Sequence, residues 1–177
     1  MDRYYAVDGD SALWQSEFKP GTTSGKSTGY PDAQLLHYST GDIKLTLELS
    51  YQEIGAVGPI VPIIPTPWAS SEELMIKVDI QTPTQVVTLF NDWIITANKQ
   101  SYRPSKVYSE DLAPSPTSGV SLNNRRTVYL QYEVKFSDAD KISINFAPLQ
   151  QGQQNYLIPP LTLVKVKGAW RYEVMTV

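Results

Sequence analysis

His37 is the single histidine of this 177-residue chain, and there is no cysteine. Imidazole is the side chain best suited to general-base work or metal ligation near neutral pH. With no second histidine and no thiolate to join it, the chain offers no His-rich metal site, no Cys-ligated zinc or iron–sulfur centre and no disulfide framework. Serine hydrolysis needs only Ser, His and Asp, all of which are present. No strand–Gly-x-Ser-x-Gly–helix context surrounds a serine here, so His37 is read as a structural or surface residue.

Gly21-Thr-Thr-Ser-Gly25-Lys26-Ser27 comes near a phosphate-binding loop. That loop needs a glycine five positions before the second one, where Pro20 stands. It also needs a buried strand before it and a helix after it to aim backbone N–H groups at phosphate. Thr28-Gly-Tyr-Pro31 starts no helix cleanly, so a surface loop is expected. The acid pairs Asp8/Asp10, Glu72/Glu73, Glu110/Asp111 and Asp138/Asp140 lack the separation across a cleft that glycoside hydrolysis requires. They also lack the spaced oxygen ladder of a calcium loop, and are read as turn formers. No cofactor is expected.

The remaining candidates are aromatic and apolar. The chain has 11 Tyr and 4 Trp. Such rings bind sugars and anchor protein interfaces. Trp93 and Trp170 lie in strand patterns and are expected in the core. Trp14, Tyr30 and Trp68 lie in loop-like segments. Together with Ile63 they make up the expected interaction surface, for a protein or carbohydrate partner. For Trp14 the competing expectation is an N-terminal arm that packs its aromatics on its own body. In Gly58-Pro-Ile-Val-Pro-Ile-Ile-Pro-Thr-Pro-Trp68, proline at 59, 62, 65 and 67 favours an extended, polyproline-like path. Its isoleucines are expected to close the core, with the prolines blocking strand addition.

The elements that hold these residues are strands. Thirteen prolines leave two long proline-free stretches, 32–58 and 117–147. A proline inside a helix costs about 3 kcal/mol, so long helices could run only there, and both stretches alternate. Ile43, Leu45, Leu47 and Leu49 face one way and Lys44, Thr46 and Glu48 the other, the period of a half-buried strand. Val128, Leu130, Tyr132, Val134 and Phe136 form a second inner row. A turn at 137–140 and renewed alternation over 141–146 predict a hairpin. Leu74 to Ile80 alternates around Lys77 and Asp79. A second hairpin is expected from 161–166 and 170–177 around Lys167-Gly-Ala169. Residues 84–98 carry some helical spacing. The β-branched runs Val86-Val-Thr88 and Ile94-Ile-Thr96, with Asn91-Asp92 between, favour two short strands. Residues 1–40, 109–126 and 147–156 are expected as polar loops.

Together these predict one all-β domain over 1–177. It is an antiparallel β-sandwich, immunoglobulin-like or jelly-roll-like, with long polar loops, little helix and a loop-rich N-terminal arm at 1–40. The net charge of −3 argues against nucleic acid, whose binders usually show a basic face. No stretch is apolar for the ~18 residues of a membrane span. Met1 to Asp10 has no apolar run behind a basic end, as a secretory signal would. A cytoplasmic protein with its native start and a mature export product both fit.

The Gly58-Pro-x-x-Pro-x-x-Pro segment after an alternating strand resembles one found in uncharacterised bacterial envelope and secreted proteins, often lipoproteins. Trp93-Ile-Ile-Thr96 with Tyr102-Arg-Pro104 is similar to their second strand pair, so the resemblance covers 43–104. It implies a β-sandwich and an extracellular, periplasmic or outer-membrane setting, and it carries no chemistry. The expected function is a non-catalytic structural or recognition domain. The alternatives are a carbohydrate-active hydrolase with unassigned carboxylates and a coat or appendage subunit. Oligomeric state stays open.

Overall fold

The computed structural model describes residues 3–6, 13–19, 22–23, 26–27, 33–51, 73–109, 120–135 and 139–166. Its strands in chain order are β1 (Arg3–Ala6), β2 (Gln15–Lys19), β3 (Thr22–Thr23), β4 (Lys26–Ser27), β5 (Ala33–Thr40), β6 (Ile43–Tyr51), β7 (Glu73–Thr88), β8 (Ile94–Ala97), β9 (Gln100–Tyr102), β10 (Lys106–Ser109), β11 (Val120–Lys135), β12 (Lys141–Asn145), β13 (Leu149–Gln151), β14 (Gln154–Tyr156) and β15 (Leu161–Val166). One sheet runs β1-β15-β12-β8-β9. The larger runs β10-β11-β7-β6-β5-β2, with the β13–β14 hairpin joined to β7. All pairings are antiparallel. The chain is an all-β sandwich. Among the described residues the one helical element is a 3-10 turn, Phe90–Asp92, and no helix is long and apolar enough to cross a membrane.

Alternation explains the layers. Ile43, Leu45 and Leu47 of β6, Leu74, Ile76, Val78 and Ile80 of β7, and Val128, Leu130, Tyr132 and Val134 of β11 are buried. They meet Ile95, Ile142, Ile144, Leu161 and Leu163 of the smaller sheet in one cluster. Non-polar burial on this scale stabilises by roughly 25 cal/mol per Å².

β7 is longer than the alternation at 74–80 suggested, because it passes through Pro83. The β7–β11 register shifts by two residues between Val86↔Leu122 and Thr82↔Asn124. Proline fits a sheet at such a bulge, where no ladder N–H is required. A one-residue slip would turn the rest of the strand inside out. A two-residue shift keeps Thr82 and Val86 on the same buried face. Beyond Thr88 the turn at Phe90–Asp92 and strand β8 follow, so 84–98 forms two strand segments as expected.

Four expectations need correction. The stretch 109–126 is not all polar loop: Ser109 ends β10, and 120–126 open the long strand β11, paired with β7. The 127–136/141–146 hairpin does not form. β11 is flanked on both sides by β10 and β7, so β12 crosses to the other sheet and pairs with β15 and β8. Within 1–40 the described residues are mostly paired strands rather than loop: β1 pairs with β15, β2 with β5, and β5 with β6. The polar stretch 147–156 is a hairpin, with Gly152 at φ +59° in its two-residue turn. Glutamines tolerate an exposed strand, so a polar stretch here is not a loop. Residues 58–68 and 167–177 lie outside the described residues, and with them the proline-rich segment and the second expected hairpin.

Candidate functional site

Strand alternation also decides what faces away from the core. On the outer face of the larger sheet, cross-strand register lines up Gln15, His37, Thr46, Asp79 and Thr127 in one row. A second row holds Glu17, Leu35, Glu48, Lys77, Tyr129 and Tyr108. A third runs from Lys44 through Gln81 to Arg125. Side chains opposite one another in neighbouring strands are about 4.5–5.5 Å apart at Cβ. Three rows therefore form a dense polar lattice around a concavity of about 210 Å³.

The lattice is internally bonded. His37 Nδ1 lies 2.9 Å from Thr46 Oγ1, and its Nε2 lies 3.2 Å from Glu17 Oε2. A carboxylate only accepts hydrogen bonds. With a neutral ring the Nε2–H donates to Glu17, and Nδ1 accepts from the Thr46 hydroxyl. Arg125 Nη2–H donates to Asp79 Oδ2 at 3.1 Å, and the Thr127 hydroxyl donates to Asp79 Oδ1. Burial pushes the Asp79 carboxyl up. The hydrogen bonds from Thr127 and Arg125 and the charges of Arg125 and Lys77 outweigh that and hold it below its ordinary value.

Leu35 breaks the pattern. Both it and Leu36 are buried, at 5% and 4% exposure, although they point to opposite faces. Leu36 enters the core, whereas Leu35 lines the outer concavity. At the end of the same row Tyr129 and Tyr108 stack, with ring centroids 5.3 Å apart and planes 15° from parallel. The Tyr108 hydroxyl donates to Met75 Sδ.

Glu17, His37 and Thr46 stand in the carboxylate–imidazole–hydroxyl order of nucleophilic enzymes. Among the described residues no oxyanion-binding group stands beside them. Thr46 lies in β6, flanked on both sides by β5 and β7. Backbone N–H groups there serve the ladders and are not offered to a developing oxyanion. Among the described residues no group of three or more His, Asp or Glu is placed to hold a metal ion.

Of the four residues expected to form an interaction surface, Trp14 alone is described. It is 7% exposed. Its ring packs 5.3 Å from Tyr38 and 5.6 Å from Phe146, and its Nε1–H donates to the Pro159 carbonyl at 3.2 Å. Trp14 therefore takes the arm-packing alternative and presents no open platform. Tyr30, Ile63 and Trp68 lie outside the described residues, as do the acids Asp8, Asp10, Glu72, Glu110, Asp111 and Asp138. The phosphate-loop look-alike contains the short antiparallel pair Thr22–Thr23 and Lys26–Ser27. No family model, curated protein or solved structure matches the chain. The reading of the site therefore rests on its geometry.

Proposed function

We propose that the chain is a non-catalytic recognition domain of a bacterial envelope or extracellular protein, and that it binds through the outer face of its larger sheet. The observation that carries this is the lattice around Asp79. Its polar groups are fixed by one another across paired strands, which makes a shaped surface with preset donors and acceptors, and in β5, β6 and β7 the backbone donors serve the ladders. The envelope setting is supported by the resemblance of 43–104 to secreted and lipoprotein-like chains. The Glu17–His37–Thr46 order favours a hydrolase as the second reading, and one assay separates the two. The purified chain is incubated with chromogenic esters and glycosides beside its His37→Ala variant. No turnover above buffer is expected from either. Turnover by the parent that is lost in His37→Ala would overturn the recognition reading. Fractionation of cells carrying the native gene tests the location, which is expected to be outside the cytoplasm.

A further inference from the structure

The ligand class of this surface can be derived from its charge, its floor and its position, on the assumption that the recognition reading holds. We propose that the concavity around Leu35 takes one sugar ring of a neutral glycan, whose chain runs across the strands toward Tyr129 and Tyr108.

Charge comes first. Glu17, Glu48 and Asp79 supply three negative charges, and Lys77 and Arg125 supply two positive ones. With His37 neutral the sum is −3 + 2 = −1. A phosphate, sulfate or nucleic-acid ligand calls for surplus positive charge, which is missing. A bound cation calls for converging oxygens free of cationic neighbours, whereas Asp79 already holds Arg125. What remains is a surface that offers donors and acceptors side by side. Vicinal hydroxyls, each able to donate and accept, match that mixture.

The floor is the second argument. A pyranose has an apolar C–H face beneath its hydroxyls. Leu35 lines the concavity on the polar face of its strand, beside carboxylates, guanidinium and imidazole, and the 5% of its surface left open offers a small apolar spot within that polar ring. At about 210 Å³ the concavity is smaller than the roughly 300–1,000 Å³ of a site for a drug-sized ligand, and it suits one ring. From β5, which carries Leu35, to β11, which carries Tyr129, is three strand spacings, or about 14 Å. Further sugar units would span this distance to reach the tyrosine rings.

A peptide adds as a strand to an open sheet edge. Six of the eight lining residues stand on β5, β6 and β7, each flanked on both sides, so the centre of the concavity is closed to strand addition; of the lining residues only Glu17 stands on the terminal strand β2.

The test is affinity electrophoresis of the full chain in gels that contain barley β-glucan, xylan, galactomannan or starch. Arg125→Ala and Tyr129→Ala run alongside. The Arg125 side chain is 68% exposed, so its removal leaves the fold intact, which a thermal melt verifies. At least one polymer should retard the parent, and the retardation should persist in 0.5 M NaCl. Oligosaccharides of that polymer should bind at least tenfold more weakly to both variants. The glycan assignment falls if no polymer retards the chain, if salt abolishes the retardation, or if Arg125→Ala binds as the parent does. A peptide-library ligand that shifts the amide resonances of His37 and Asp79 would sink the glycan while leaving the recognition reading in place. Ester or glycoside turnover that depends on His37 would sink both.

Discussion

Tyr132→Phe removes one oxygen from the middle of the sandwich and leaves the ring where it is. Tyr132 is fully buried on β11, and its hydroxyl donates to the Trp93 carbonyl at 2.9 Å. Trp93 follows the 3-10 turn and precedes β8, whose ladder begins at Ile94, so its carbonyl lies outside the sheet register. Phenylalanine keeps the packing, and the cavity term is small. The loss is a hydrogen bond plus a buried acceptor deprived of its donor, about 1–3 kcal/mol. For a chain of this length that lowers Tm by roughly 2–12 °C. The urea midpoint should fall with an unchanged slope, because the exposed surface is the same. The pH dependence supplies a second check. Burial pushes the Tyr132 hydroxyl far above its ordinary value. Above the unfolded value of about 10 the unfolded chain loses this proton and the folded chain keeps it. Its stabilising contribution is therefore fully present below that pH and falls as pH rises beyond it, by up to about 1.4 kcal/mol per pH unit. The phenylalanine variant has no such fall, so the difference between the two proteins should shrink above pH 10. A variant that melts with the parent at pH 7, or a gap that stays constant to pH 11, would refute the reasoning.

Asp79→Asn should cost stability at neutral pH and flatten the acid limb of the urea midpoint-versus-pH curve. The lowered carboxyl of Asp79 stabilises the fold above its unfolded value of about 3.9, and this is lost as pH falls through the folded value. Lys99→Gly should stabilise by about 0.5–1 kcal/mol in urea melts. Asn98 and Lys99 both hold positive φ in the β8–β9 turn, a geometry in which glycine is preferred at the second place. Gly41→Ala should cost about 1–2 kcal/mol, since Gly41 sits at φ +55° and an added Cβ would lie 3.3 Å from the Tyr156 ring. Restoring part of that loss with Tyr156→Ala in the same background would assign that part to the steric contact.

The all-β class was legible because the core strands obey period 2 without interruption: β6, the first half of β7 and the second half of β11 could be drawn from sequence. What could not be drawn was pairing. Alternation says which side of a strand is wet, and it does not say which strand lies beside it. For that reason alternation alone pairs β12 with β11, whereas the occupied edges of β11 send it to the other sheet. The lattice around Asp79 was hidden for the same reason. Glu17, His37, Thr46, Asp79 and Arg125 are spread over more than a hundred residues, and only the register gathers them. One signal was present in the sequence. Leu35-Leu36-His37 interrupts the alternation of β5, and that break hid the strand. The residue responsible lines the concavity, in keeping with the tendency of local rules to fail where a surface has another task.

Trp14 reaches across the molecule to Pro159, 145 positions later. On a ribosome that adds about 5–20 residues per second, roughly 7–30 s separate the appearance of donor and acceptor. Of the two rings packed on the indole, Tyr38 emerges early and Phe146 late. Until β12 and β15 are made, the inner leucines and isoleucines of β6 and β7 lack the smaller sheet that covers them. Order of synthesis and order of closure run opposite ways at the N-terminus. A holdase that shields the β6–β7 face during that interval would raise the yield of folded chain, and it would have no further role once the indole is seated.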